Sequence, residues 1–238
     1  MNAFEMFSLS GKVAVVTGGA GWLGRQMTEA LAQVGATVVI ASRNLTKLQA
    51  QASVFSSAGL DVTAMRLDQA DELSIAGLLQ KVVEQFGKVD VLVNNSAVWT
   101  MNDWTGPAAS FARSMDVNVT GMFMMTRTFG EHMAERGTGV IVNVGSVFGM
   151  VGPDFSLWAG KRGGLPDYFV QKGAVLQLTR YAAAKLGPRG VRVNTLTPGL
   201  FFKNQAAAFV EQASARTFTG RMGNSTDLKG AVVFLASD

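Results

Sequence analysis

Six short apolar runs, at residues 13–17, 37–41, 62–67, 89–93, 139–144 and 191–196, alternate with stretches of helical character. No other feature constrains the fold of this chain as strongly. The runs are rich in Val, Ile and Leu and lack the in–out alternation of a half-exposed strand, the pattern expected when both faces of a parallel sheet are covered. Helical segments are expected at 22–34, 45–58, 71–86, 108–135 and 166–186. Strand–helix alternation of this kind gives an α/β fold, a doubly wound parallel sheet flanked by helices on both faces, as one domain over residues 1–238. With 48% hydrophobic and only 16% charged residues, the chain carries more apolar side chains than one core needs, so subunit contacts are expected as well.

Several function classes are excluded or disfavoured. Cysteine is absent, which removes disulfides and thiolate metal sites, and the single histidine, His132, cannot build a histidine metal cluster, so no metal site is expected. His132 itself reads as a polar residue near the end of a long helix. No apolar run has the length of a bilayer span, and the first residues lack a signal-peptide pattern, so no membrane association is expected and a cytoplasmic location is. The net charge of +4 comes from scattered Lys and Arg rather than a basic stripe, which favours a small anionic ligand over nucleic acid.

Tyr168 and Lys172 stand four residues apart, one helical turn, so phenol and ammonium share a face. A free phenol has a pKa of ~10 and is a poor acid or base at neutral pH. An ammonium about 4 Å away at an effective dielectric of about 20 contributes ~4 kcal/mol, enough to bring the phenol near neutrality. Upstream, the first strand runs into VVTGGAGWLG before a helix begins. Glycines there allow a tight turn and close approach, and the helix N-terminus offers free N–H groups to a pyrophosphate.

Thr17, Gly18, Gly21 and Gly24 in that turn resemble the dinucleotide-binding turn of the short-chain dehydrogenase/reductase family, most closely its gluconate 5-dehydrogenase-type sugar and polyol oxidoreductases. The resemblance continues along nearly the whole chain. Asn94-Asn95-Ser96-Ala97 is similar to the family's Asn-Asn-Ala-Gly element, Asn118 to its helix asparagine, and Ser146 to its catalytic serine. Tyr168 and Lys172 resemble its Tyr-x3-Lys pair, and Pro198-Gly199 the turn after the sixth strand. Three departures stand out. Trp22 occupies the place of the usual middle glycine, with Gly21 one position earlier. Ser146 and Tyr168 are 22 positions apart, a longer separation than is common in the family. The sequence stops at FLASD where family members continue into a last strand, so that strand is expected to be missing and residues are expected beyond Asp238.

The resemblance implies that Asn118, Ser146, Tyr168 and Lys172 are catalytic and that the cofactor is held by Thr17, Gly18, Gly21, Gly24, Asn95, Ala97, Tyr168, Lys172, Pro198 and Gly199. In that scheme Tyr168 donates the proton, Ser146 stabilises the carbonyl oxygen, Lys172 holds the nicotinamide ribose, and Asn118 anchors a water that reprotonates Lys172. At the end of the second strand Ser42 and Arg43 replace the acidic residue that would chelate the ribose hydroxyls, which favours NADP(H) over NAD(H). Arg43 could instead be a solvated loop charge. Asp68 either meets the adenine or caps the next helix. The expected reaction interconverts a carbonyl and a secondary alcohol on a small sugar, sugar acid or polyol. The alternatives are a 3-oxoacyl-[acyl-carrier-protein] reductase and a non-catalytic cofactor-binding regulatory protein. The long loop 149–167, with Asp154, Trp158, Lys161 and Arg162, is expected to wall the substrate site or to serve subunit packing. A homo-oligomer, dimer or tetramer, is expected through the helices at 108–135 and 166–186.

Overall fold

The computed structural model describes residues 2–158 and 165–238. Six parallel strands form one sheet in the order β3-β2-β1-β4-β5-β6. They are β1 (Val13–Thr17), β2 (Thr37–Ser42), β3 (Val62–Arg66), β4 (Val91–Asn94), β5 (Gly139–Val144) and β6 (Val191–Leu196). No seventh strand occurs among the described residues. The helices are α1 (Ala3–Met6), α2 (Trp22–Gln33), α3 (Leu45–Ser57), α4 (Glu72–Phe86), α5 (Ala108–Met115), α6 (Gly121–Glu135), α7 (Pro166–Leu186), α8 (Ala207–Ala215) and α9 (Lys229–Ala236). Strand order reverses between β1 and β4, which opens a crevice at the carboxyl ends of the strands, the usual ligand position in open α/β sheets.

Why the strands lack alternation is visible in the packing. Ala14, Val16, Val38, Ile40, Val91 and Val93 point to one face, where α2, α3 and α9 cover them with Met27, Leu31, Leu48, Phe55 and Val232. Their neighbours Val13, Val15, Val39, Ala41, Leu92 and Ile141 point to the other, under Ile75 and Leu78 of α4, Met125 and Phe129 of α6 and Leu186 of α7. Both sides of each central strand are therefore buried, and burying each such side chain contributes roughly 1.5–3 kcal/mol. Local signals set the helix starts. The Asn44 side chain accepts from the Lys47 N–H at 2.9 Å to open α3, Asp71 accepts from the Leu73 N–H at 3.0 Å to open α4, and Pro166 stands in the first turn of α7.

The helix expected over 108–135 is helical throughout but not uniformly α-helical. A π-helical turn at Asp116–Thr120 separates α5 from α6. The buried Asn118 sits in that turn and turns its amide outward, accepting from the Val98 N–H at 2.8 Å and donating to the Val98 carbonyl at 2.8 Å and to Ser114 Oγ at 3.1 Å. The wide turn lets a mid-helix side chain reach the segment after β4, and such bulges recur at functional sites. His132 in α6 accepts from the Val89 N–H at 3.4 Å, and burial lowers its pKa. FLASD, at the end of the sequence, forms the end of α9 and the residues after it. Among the described residues no helix is long and apolar enough to cross a membrane, and no group of acidic or histidine side chains could hold a metal.

Candidate active site

A cleft of about 1300 Å³ runs over the carboxyl ends of the strands, from Arg43 and Lys47 at one end past the glycine turn to Ser146 and Tyr168 at the other. Gly18, Gly21, Gly24, Ser42, Arg43, Asp68, Asn95, Ala97, Ser146, Tyr168, Lys172, Pro198 and Gly199 all line it. Chain positions up to 181 residues apart, 199 less 18, thus meet in one groove. Thr17 does not reach it. Fully buried behind the turn, its Oγ1 accepts from the backbone N–H groups of Asn95 and Ser96 at 3.0 and 2.9 Å. Asn118 also lies behind the cleft wall, holding Val98.

The glycine turn is shaped for close approach. Gly18 has φ +65°, a left-handed conformation, and an added Cβ would stand 3.0 Å from Asn95 Nδ2. At Gly24 a Cβ would lie 2.2 Å from the Gly18 carbonyl oxygen, so the turn folds onto the first turn of α2. Asn95 Nδ2 donates to the Thr17 and Gly18 carbonyls at 2.9 and 3.2 Å and buttresses the turn from the β4 side. Trp22, in the place of the usual middle glycine, begins α2 and lines the cleft, so the bulky side chain is accommodated without a break in the helix. Asp68 lines the cleft while its Oδ1 accepts from the Ala70 N–H at 3.1 Å. The cap of α4 is Asp71, which leaves Asp68 at the groove.

At the other end Ser146 is buried in an extended conformation, and the Val147 N–H donates to the Pro198 carbonyl at 2.9 Å, tying the segment after β6 to the end of β5. Phe148 packs edge-on against the Tyr168 ring at 6.3 Å between centroids and on Phe169 at 4.7 Å, seating Ser146 beside α7. Lys172 is only 4% exposed, and its Nζ donates to the Val144 carbonyl at 2.6 Å. The ammonium lies 5.8 Å from the centroid of the Tyr168 ring. The electrostatics differ from the simple pair expected from spacing. Burial raises the Tyr168 pKa above 10, a hydrogen bond from Ser146 only partly opposing it. Burial also pushes Lys172 down to about 8. The spacing identified neighbours on one face, but the lysine's nearest partner is a strand-end carbonyl, and both groups are desolvated.

The cleft residues that sequence reasoning passed over include two lysines and two aromatics. Lys47, one turn into α3, and Lys203, after Pro198-Gly199, join Arg43 and Lys172 as cations facing a groove where, among the described residues, Asp68 is the only acidic lining residue. Trp99 and Phe148 supply aromatic walls at the Tyr168 end, with Trp99 5.9 Å from the Tyr168 ring. Lys47 and Phe148 follow the Ser42-Arg43 and Ser146 motifs by a few positions, a signal that closer attention to motif flanks would have found. Asp154, expected at the substrate, is instead taken by α8, since Arg216 Nε donates to its Oδ2 at 2.8 Å. That pair fastens the loop after Ser146 to α8. Lys161 and Arg162 lie outside the described residues.

The model of the short chain dehydrogenase family matches residues 12–213. The chain belongs to that family. It is 32% identical over 248 residues to the gluconate 5-dehydrogenase of Gluconobacter oxydans (strain 621H), covering 100% of this chain and 92% of that protein. Among solved structures, a gluconate 5-dehydrogenase from Burkholderia cenocepacia J2315 in complex with NADP and tartrate superposes with a TM-score of 0.89 at 30% identity, over 99% of this chain and 92% of that one. An NAD+-bound xylitol dehydrogenase gives a TM-score of 0.87 at 27% identity, over 97% and 94%. As a short-chain dehydrogenase/reductase, the protein is an oxidoreductase acting on CH–OH groups, in a family that binds NAD(P). The cleft fits such a cofactor. A turn in which side chains would clash gives a diphosphate room beside the α2 N-terminus, and Arg43, Lys47, Lys172 and Lys203 face the groove.

Proposed function

We propose that the protein is an NADP(H)-dependent oxidoreductase that interconverts a ketone and a secondary alcohol on a small hydroxylated substrate, a sugar, sugar acid or polyol. The observation that carries this reading is the convergence of Ser146, Tyr168 and Lys172 at one end of the cleft. A bound nicotinamide supplies hydride to the carbonyl carbon. Tyr168 donates the proton to the carbonyl oxygen, and burial keeps its phenol protonated at neutral pH, as a donor requires. Ser146 hydrogen-bonds the same oxygen and stabilises its developing charge. Lys172, fixed on the Val144 carbonyl, is held in place to meet the nicotinamide ribose, and its pKa of about 8 lets it pass a proton near neutrality. Asn118 has spent both N–H donors on Val98 and Ser114. Its part is therefore to fix the wall at Val98, with one Oδ1 lone pair left for a water.

Preference for NADP(H) is supported by Ser42 and Arg43 at the end of β2, with Lys47 one turn on and no carboxylate at that place. A guanidinium suits a doubly charged 2′-phosphate. The hydroxylated substrate is supported by the relatives named for gluconate and xylitol. The test is a panel of ketoses, keto acids and acetoacetyl thioesters assayed with NADPH, using the wild type and Tyr168→Phe. The variant should lose at least ~100-fold in kcat with NADPH affinity near wild type. Retention of more than about a tenth of turnover would remove Tyr168 as the proton donor. Turnover confined to acetoacetyl thioesters would favour the acyl-carrier-protein reductase reading.

A further inference from the structure

Asp167 immediately precedes Tyr168 in the first turn of α7, is fully buried, and has no cationic partner among the described residues. Burying a carboxylate in this way is costly unless its oxygens are used. Oδ2 accepts from two successive backbone N–H groups, Thr100 at 3.1 Å and Met101 at 3.3 Å, while Oδ1 has no partner among the described residues. Two residues before Thr100, the N–H and carbonyl of Val98 are both held by Asn118 at 2.8 Å. Thr100 Oγ1 donates to the Ser110 carbonyl of α5. Trp99 therefore sits between two clamps, its backbone fixed on both sides. Its indole is 58% exposed, lines the cleft, and lies 5.9 Å from the Tyr168 ring at 32°. A large aromatic left open to solvent beside the Tyr168 ring, with its backbone pinned, is organised for a ligand rather than for the core.

We propose that Asp167 is a positioning residue for substrate recognition. It fixes the segment 98–101 so that Trp99 forms a wall of the substrate site and stacks on a flat, C–H-bearing face of the carbonyl substrate beside Tyr168. The proposal rests on the ketone-reductase reading above and adds the surface that chooses the substrate. Two sources present such a face, the C–H side of a sugar or polyol and an aryl group. Asp167 touches neither substrate nor cofactor. It acts through Trp99, so its removal should change KM and spare the chemical step.

The test uses full-length protein carrying Trp99→Ala, Asp167→Ala, Asp167→Asn and the Trp99→Ala/Asp167→Ala double change, with a ketose, an aryl ketone and butanone as substrates. Trp99→Ala should raise KM about tenfold for a substrate with a stacking face, and leave butanone and the NADPH Kd within about twofold. A rise for the ketose alone assigns the sugar face, and one for the aryl ketone alone the aryl face. Asp167→Ala should raise the same KM, and the double variant should be no worse than Trp99→Ala alone, because the two act as one unit. Asp167→Asn, whose amide oxygen still accepts from Thr100 and Met101, should stay near wild type. If Asp167→Ala does not fold, Asp167→Glu, which displaces the oxygens by one methylene, takes its place in the cycle. An unchanged KM in Trp99→Ala for both face-bearing substrates, or additive losses in the double variant, overturns the proposal while the wild type still reduces ketones. A wild type that reduces none of them overturns the underlying reading as well.

Discussion

Lys172→Met is expected to stabilise the cofactor-free protein at neutral pH while abolishing most of its turnover. Lys172 is 4% exposed, and its pKa falls from 10.5 to about 8 through burial. Below pH 8 both folded and unfolded chains carry the proton, and the folded state bears the full cost of a buried ammonium. Between the two pKa values the unfolded chain binds the proton and the folded one releases it, so wild-type stability rises with pH through that window. From pH 7 to pH 10 the rise amounts to roughly 2–3 kcal/mol. Methionine has no charge to bury and lacks the rise. It also leaves the Val144 carbonyl without its donor, which costs ~1–3 kcal/mol, so the gain at pH 7 is small, on the order of 1 kcal/mol. The decisive quantity is the difference between the two proteins, in which other titrating groups cancel. Urea unfolding of both at pH 7 and pH 10 should show wild type gaining ~2 kcal/mol or more on the variant as pH rises. Parallel pH–stability curves would refute the reasoning, because they would mean that no desolvated charge resides at Lys172.

Further expectations concern the cofactor and the assembly. Arg43→Ala should weaken NADPH by ~1.5–3 kcal/mol and NADH hardly at all, and Ser42→Asp should turn preference toward NADH; equal losses for both cofactors in a titration would show that Arg43 does not meet the 2′-phosphate. Gly24→Ala would place a Cβ 2.2 Å from the Gly18 carbonyl, so calorimetry should find NADPH binding weakened at least ~10-fold as the turn shifts. Phe123 of α6 and Val170 and Tyr181 of α7 are exposed, on the two helices expected to join subunits. Light scattering should therefore find a species heavier than the 25.2 kDa chain at about 10–50 μM, and a persistent monomer would count against assembly through these helices.

The sheet and its order of elements were legible in the sequence because a strand buried on both faces must be continuously apolar, and runs such as VAVVT and GVIVNV admit few other structures. The Tyr168–Lys172 pair and the glycine turn were legible because their geometry is local, one helical turn and one tight bend. What the tertiary structure alone decided depends on neighbours distant in sequence. Burial reversed the expected electrostatics of Tyr168, and a carbonyl on β5 took the ammonium of Lys172. The π turn at Asn118 lets its amide meet Val98, 20 positions away, and nothing in the periodicity of 108–135 marks that bond. Asp154 was captured by Arg216, 62 positions on, and Asp167 was drawn to Thr100 and Met101. Periodicity reports which face of an element is buried. Which polar group each buried side chain meets there is set by the packing of elements that the sequence keeps far apart.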